Sequence, residues 1–483
     1  MAEHDNSYKS IIKGTSIFGG VQILNILISL VRGKFVAMLL GPEGMGISAL
    51  FTNSANSIQR LASLGLNLAI VKEVAADSDS PEKLSGILPA IRRSITLTAL
   101  AGALLCVLFS RLLSEITFGN PDMAWQFVIL GIAVGLTVAF NGNLSILQGL
   151  HSVKRLSMAS VVGGLTGLFV GIPLYYFFGT KGIVPAMVAL ALSMWIFSTI
   201  SVRKEVSFPV GKFCRKDHLP VARRLVSLGI LLMANDLILA IVQYAISIYV
   251  NAFGSADTLG LYQAANSVTN QYSGMVFAAM AMDYFPRLSK EASDNVRMRE
   301  IVNRQTEIVS AIIAPAVCLL IMTSPILIEL LLSKEFMPVT SLMRWMGIGI
   351  LFRALMFPMA YISFAKGNKK LFFWLEGVTC NLLTLLLSLV FFHFYGLAGL
   401  GYALVADNVL CLAIYYFVNR HFYGYRFGRK TILSMVIAIS LVSVNFAFSF
   451  ITITTTPIFF MSMWTFIALI ISVLLIKKKL KSS

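Results

Sequence analysis

Two arginines stand deep inside apolar runs, where a charge is costly unless something polar receives it. Arg32 lies in the run that begins near Gln22 and Arg60 in the run that ends near Asn67, and Gly41-Pro42-Glu43-Gly44-Met45-Gly46 separates the two. Each run is long enough to cross a bilayer, which takes about 20 apolar residues. A central arginine costs roughly 2.5–3.5 kcal/mol on insertion scales, so it should face a bundle interior or water. At about 100° per helical residue, Gln22, Asn25, Ser29 and Arg32 fall within about 80° of one another. Asn53, Asn56, Ser57, Arg60, Ser63 and Asn67 form a second polar stripe on the next helix. Such stripes read as one wall of a hydrated, cationic cavity whose forked guanidinium groups suit phosphate oxygens. The plainer alternative is an ion pair between an arginine and a helix acid that only fixes packing.

Further candidates lie elsewhere in apolar runs. Arg353 sits mid-segment, whereas Lys34 and Arg344 are near enough to segment ends to snorkel. Asn266 and Asn270 form a stripe with Gln263, Ser273 and Gly274, and Asp236, Gln243 and Ser247 share a face of the helix before it. Asp236, Glu307, Glu376 and Asp407 are candidate ion-coupling residues, because burial raises a carboxyl pKa. The bland reading of the acids is a solvated charge near a membrane face; that of the Asn and Ser stripes is helix packing.

The elements that must position these groups are spanning helices. The 483 residues are 57% hydrophobic and 13% charged, with a mean hydropathy of +0.81. That balance, repeated in long runs, defines an all-α polytopic integral membrane protein. About fourteen helices are expected, near 11–40, 47–71, 91–114, 124–149, 156–178, 182–202, 223–252, 259–285, 302–332, 339–365, 370–394, 397–418, 431–451 and 457–476. The net charge of +17 is concentrated in short connecting loops. It therefore reports topology, with both termini cytoplasmic, and not a nucleic-acid partner. The polar start has no cleavable signal pattern, so the first helix is expected to act as an uncleaved insertion signal.

An ungapped offset pairs Gln22 with Asn235, Gly41 with Gly254 and Asn53-Ser54 with Asn266-Ser267. Parallel repeats of this kind are a transporter architecture. They predict a six-helix lobe over 1–202, a basic cytoplasmic linker over 203–222, a second six-helix lobe over 223–420 and an appended helix pair over 431–476. No catalytic constellation is legible. The five histidines lack ligand spacing, the five cysteines contain no C-x-x-C pair, and no phosphate-binding Gly-rich loop of the nucleotide type is present. The expectation is a protein that is not an enzyme and carries no metal, cofactor or disulfide.

The hairpin Leu40-Gly41-Pro42-Glu43-Gly44-Met45-Gly46-Ile47-Ser48-Ala49-Leu50 and the later Leu66-Asn67-Leu68-Ala69-Ile70-Val71-Lys72 carry a resemblance. So do Gln148-Gly149-Leu150-His151, Leu332-Ser333-Lys334-Glu335-Phe336 and Ala365-Lys366-Gly367-Asn368. The chain resembles the polysaccharide transporter family of the MOP exporter superfamily, in particular Wzx-type O-antigen and common-antigen flippases. That resemblance implies two six-helix lobes about a cationic cavity, in the bacterial cytoplasmic (inner) membrane. It implies movement of an undecaprenyl-diphosphate-linked glycan from the cytoplasmic to the periplasmic leaflet by alternating access. Membrane lipids are the expected surroundings, and a glycan polymerase and chain-assembly proteins are candidate partners. Many such flippases have twelve helices. The extra pair here is similar to that of fourteen-helix lipid II flippases, where it forms a groove for the lipid tail. A lipid II flippase is the nearest alternative. A drug or cation antiporter of the same superfamily would want an acidic cavity, and a glycan polymerase or ligase would want a large outer loop.

Overall fold

A straight helix over Ala2–Ser63 would be about 93 Å long, three times the apolar depth of a bilayer. In the computed structural model that segment, α1, is two helices joined at Gly41, whose φ of 65° and ψ of −168° are open to glycine alone. Pro42 then opens the second half, a position where its missing N–H costs nothing. The expected six-residue hairpin loop is thus compressed to a single hinge residue. The structure describes residues 2–63, 65–77, 80–206, 215–450 and 456–480, and contains no strand among them.

The next elements are α2 (Leu66–Ala76), α3 (Pro81–Leu108), α4 (Ser110–Phe118), α5 (Ala124–Gly149), α6 (Val153–Phe178) and α7 (Ile183–Glu205). The segment expected to be one helix over 47–71 instead ends at Ser63 and resumes as α2 beyond Gly65, which takes a φ of 68°. Then follow α8 (Arg215–Phe253), α9 (Ala256–Lys290), α10 (Asn295–Leu331) and α11 (Val339–Ala365). After α11 come α12 (Lys369–Phe372), a π-helical turn over Phe373–Cys380, and α13 (Asn381–Tyr423). The last two are α14 (Arg429–Phe448) and α15 (Thr456–Leu480). Helix α13 breaks at Gly396, with φ 58° and ψ −141°. The bend is sharp: a Cβ on Gly399 would lie 2.0 Å from the Phe391 carbonyl oxygen, whereas a straight helix holds residues eight apart at about 12 Å.

Among the described residues, nine apolar helical stretches are long enough to cross a membrane. Three of them, Leu24–Ser63, Val153–Glu205 and Lys369–Tyr423, run for 40, 53 and 55 residues, enough for two crossings each. With α9 and α15, the crossings number fourteen. The chain is therefore an all-α, multi-pass membrane protein.

Contacts divide the chain into Met1–Gly260 and Leu261–Ser483. In the first unit, α3 and α5 approach closely because Gly131 and Gly135 carry no Cβ: one there would come within 2.9 Å of the Ala103 carbonyl and 3.0 Å of the Ala99 carbonyl. Small residues serve this purpose where lipid removes the hydrophobic drive for helix association. Asn143 donates to the hydroxyls of Ser198 (3.1 Å) and Thr199 (3.0 Å), tying α5 to α7. Helix α8, which the internal repeat would group with the second copy, packs in this unit against α1, α2, α3 and α4.

In the second unit, α10 carries α14 and α15. Asn445 donates to Thr465 Oγ1 (3.1 Å) and the Met461 carbonyl (3.3 Å), and Trp464 Nε1 donates to the Leu441 carbonyl (2.8 Å). The turn before α14 is held on α10, where Arg299 and Asn303 both donate to the Arg426 carbonyl. At the end of α11, Lys366 donates to Asn295 Oδ1 and lies 5.5 Å from the Tyr423 ring. Burial pulls its ammonium pKa down, and the Asp294 carboxylate opposes that shift.

Candidate substrate-binding site

The second polar stripe of α1 faces α8 along an antiparallel seam. Arg60 Nη1 lies 3.3 Å from Asp236 Oδ2. Toward the Gly41 hinge, Ser57 donates to the Ala240 carbonyl at 3.3 Å and Asn53 donates to Ser247 Oγ at 2.8 Å. At the end of the seam, Gly46 and Gly260 bring α1 against the start of α9. A Cβ on Gly46 would lie 1.9 Å from the Ala256 carbonyl oxygen, and one on Gly260 would lie 1.8 Å from that of Pro42. The faces read separately from sequence, Asn53, Ser57 and Arg60 on one helix and Asp236 and Ser247 on the other, are brought together here.

The seam changes character along its length. Ser57 and Ser247 are buried, and their hydroxyls donate to carbonyls of the opposing helix or the preceding turn. Arg60 and Asp236 have side chains that are 41% and 67% exposed. Such a pair is screened and contributes at most about 1 kcal/mol to stability. Its guanidinium remains open to a second anion. Asn56, one turn before Arg60, is exposed.

The first stripe lies on the other half of α1. Asn25 donates to Ser160 Oγ of α6 at 2.9 Å. Arg32 is half-buried, and no acid among the described residues lies within 4.0 Å of it. The buried Tyr175 of α6 is within its electrostatic reach. Gln22 is on the helix but outside the residues whose side chains are described. With no acid beside it among the described residues, the Arg32 guanidinium has the chemistry to receive an anion.

The second unit holds the other candidates. Asn270 donates to Asn266 Oδ1 at 2.8 Å within α9. Arg353 of α11 is exposed, with its guanidinium carbon 5.6 Å from the Phe277 ring centroid. Asp407 is 7% exposed and accepts from Thr384 Oγ1 (2.9 Å) and, more weakly, from Cys411 Sγ (3.7 Å). Glu376 lies in the π-helical turn and accepts from the Tyr415 hydroxyl. Local π geometry opens the backbone ladder and recurs at functional sites. Glu307 accepts from Thr431 Oγ1 at 2.9 Å across to α14. Glu376 and Asp407 are linked through neighbours on one face of α13, Tyr415 bonding the first and Cys411 the second.

Sequence inspection did not single out Thr384 and Cys411 on Asp407, Tyr415 on Glu376, or the aromatic residues beside Arg353. Period alone cannot pair helices that are distant in sequence. One signal was available: Arg353, Phe357, Tyr361 and Phe364 fall on a single face of α11.

A multi-pass helical protein with arginines and acids held on its spanning helices is the class of molecule that this fold defines, and solved membrane transporters share the fold. A lipid II flippase, MurJ, in an inward closed conformation aligns over 96% of this chain and 99% of its own, with a TM-score of 0.74 at 15% identity. An inward-facing MATE multidrug resistance transporter of the MOP superfamily aligns over 87% of this chain and 96% of its own, with a TM-score of 0.68 at 15% identity. In sequence, residues 35–341 match the family described as polysaccharide biosynthesis protein, and the chain belongs to that family. The lipid III flippase of Escherichia coli (strain K12) is 22% identical over 401 residues, which are 81% of this chain and 94% of that protein.

Proposed function

We propose that this protein is a flippase. Its substrate is an undecaprenyl-diphosphate-linked oligosaccharide, an O-antigen or related surface-glycan repeat unit. It moves that substrate from the cytoplasmic to the periplasmic leaflet of the bacterial inner membrane by alternating access, with both termini cytoplasmic. The moving bodies are the repeat-related lobes 1–202 and 223–420. The observation that carries the reading is the pair of arginines on α1: Arg32 with no acid within 4.0 Å among the described residues, and Arg60 in an exposed pair. Desolvating a diphosphate without cations is prohibitive, and two guanidinium forks satisfy its oxygens bidentately. Membership of a polysaccharide biosynthesis family and the relation to a lipid III flippase support a lipid-linked glycan as the cargo class.

In this mechanism the arginines receive the diphosphate and amides such as Asn56 meet sugar hydroxyls. The hydrophobic tail stays in lipid. Asp236, Glu307, Glu376 and Asp407 are the residues on which proton or ion coupling would rest, with Asp407 the most enclosed of the four. The test is deletion of the gene in its host, with the leaflet of the accumulated lipid-linked glycan determined. Accumulation on the cytoplasmic leaflet, reversed by the wild-type gene and not by the Arg32→Ala, Arg60→Ala variant, is expected. Full complementation by that double variant sinks the proposal.

A further inference from the structure

We propose that the aromatic face of α11, with the facing rings of α9, is a saccharide-binding surface that stacks pyranose rings of the transported glycan. It rests on the flippase reading above and assigns the sugars to residues other than the arginines of α1. Arg353, Phe357, Tyr361 and Phe364 lie within about 80° on α11. Across from them, Phe277 stacks on Phe357 with centroids 5.2 Å apart, and Phe285 lies 5.8 Å from Tyr361 and 5.1 Å from Phe364. Phe357 and Tyr361, 5.0 Å apart, join the two ends into one continuous ladder.

An aromatic face on a spanning helix ordinarily meets lipid. Here Arg353 stands on the same face and is exposed, with its guanidinium over Phe277. A guanidinium this far from the segment ends requires water or protein beside it. The face is therefore hydrated at Arg353, and the rings that continue from it are half-buried at Phe357 and Tyr361 and exposed at Phe364. At the far end Tyr361 is within electrostatic reach of the Glu376 carboxylate. A ladder of rings with a cation at one end and a carboxylate near the other matches a sugar chain. Aromatic faces carry a negative quadrupole that attracts the weakly positive C–H groups on one face of a pyranose. Carboxylate and guanidinium groups pair with the equatorial hydroxyls. A lipid acyl chain would use the rings and offer no hydroxyl to the exposed Arg353 guanidinium or to the second oxygen of Glu376, whose first accepts from Tyr415.

The experiment places the photoreactive analogue p-benzoylphenylalanine at Phe357 or Tyr361 in native host cells making their own glycan. After irradiation, the modified peptide is weighed by mass spectrometry. The control positions are Phe169, a 71%-exposed ring on α6, and Asn56, on the arginine stripe of α1. Hexose- or hexosamine-containing adducts at 357 and 361, and lipid adducts alone at 169, are expected. Adducts at 56 without any carbohydrate at 357 and 361 would overturn this inference and leave the flippase reading standing. Absence of carbohydrate at all three would remove both. A second measurement covers poor folding of the bulky analogue. Phe357→Leu and Tyr361→Leu keep apolar volume and lose the ring face, so each should slow flipping about two- to tenfold at normal protein level, and Phe357→Tyr should restore it. Wild-type flipping by the Leu double variant also overturns the inference.

Discussion

Arg60 of α1 lies 3.3 Å from Asp236 of α8, at the exposed end of a seam whose remaining polar contacts are made by buried serine hydroxyls and the half-buried amide of Asn53. The pair joins two residues 176 positions apart (236 − 60). An acid that holds an arginine ready is also a competitor for it. On the proposed function, Asp236 would keep the guanidinium oriented in the absence of substrate, and a diphosphate with two negative charges would displace the single carboxylate.

We predict that Asp236→Asn leaves the amount of folded protein nearly unchanged, because an exposed pair contributes at most about 1 kcal/mol. Arg60→Ala should weaken substrate affinity roughly ten- to hundredfold, the loss of one charge-assisted contact of about 1.5–3 kcal/mol. Membrane protein level and complementation of surface glycan are measured together. Activity that falls only in proportion to protein level would assign Arg60 to packing.

At Arg32 the guanidinium fork should matter beyond its charge. Lysine keeps the charge and loses the planar fork, so Arg32→Lys should retain part of the flipping that Arg32→Ala abolishes. The readout is the initial rate of appearance of glycan at the outer leaflet. Equal rates for the lysine variant and the wild type would reduce Arg32 to a point charge.

For coupling, we predict that Asp407→Asn impairs transport more than neutralising Asp236, Glu307 or Glu376 singly, since Asp407 is the most enclosed and its oxygens are held by Thr384 and Cys411. Dissipating the proton gradient should then no longer slow the Asp407→Asn protein further. Normal, gradient-dependent transport with all four acids neutralised would exclude coupling through these residues.

Gly46 and Gly260 should resist any side chain. A Cβ at either position would sit within 2 Å of a backbone oxygen, a clash that only helix displacement relieves. Overpacking of this kind typically costs about 1–3 kcal/mol. Gly46→Val and Gly260→Val are expected to lower the melting temperature in detergent, and Gly86→Val, whose Cβ would meet nothing within 4 Å, to do so far less. Equal melting of all three would refute the close approach.

Topology is tested with cysteines in a cysteine-free background. One placed at Lys212, a linker position outside the described residues, should be shielded from an impermeant maleimide in intact spheroplasts. One placed at Glu43 or Asp257 should react. Strong labelling at 212 reverses the orientation proposed from the loop charges.

The sequence alone determined that this is a helical membrane protein with about fourteen crossings. Apolar run length is a local quantity, and bilayer thickness translates it directly into spans. It also marked Arg32, Arg60, Asn53, Ser57, Asp236 and Ser247, because a charge or amide in an apolar run stands out and helical period assigns it a face. Which face meets which was not legible. Only the tertiary structure decided that the Arg60 stripe lies on the Asp236 face, that Arg32 has no such acid among the described residues, and that Asp407 is enclosed by Thr384 and Cys411. Those outcomes depend on contacts between distant segments. In lipid such contacts are selected by close backbone approach at residues such as Gly46 and Gly260 and by satisfaction of polar groups. They are not selected by hydrophobicity, which every spanning helix shares. For the same reason the aromatic face of α11 became readable as a surface only once Phe277 and Phe285 were seen beside Phe357, Tyr361 and Phe364.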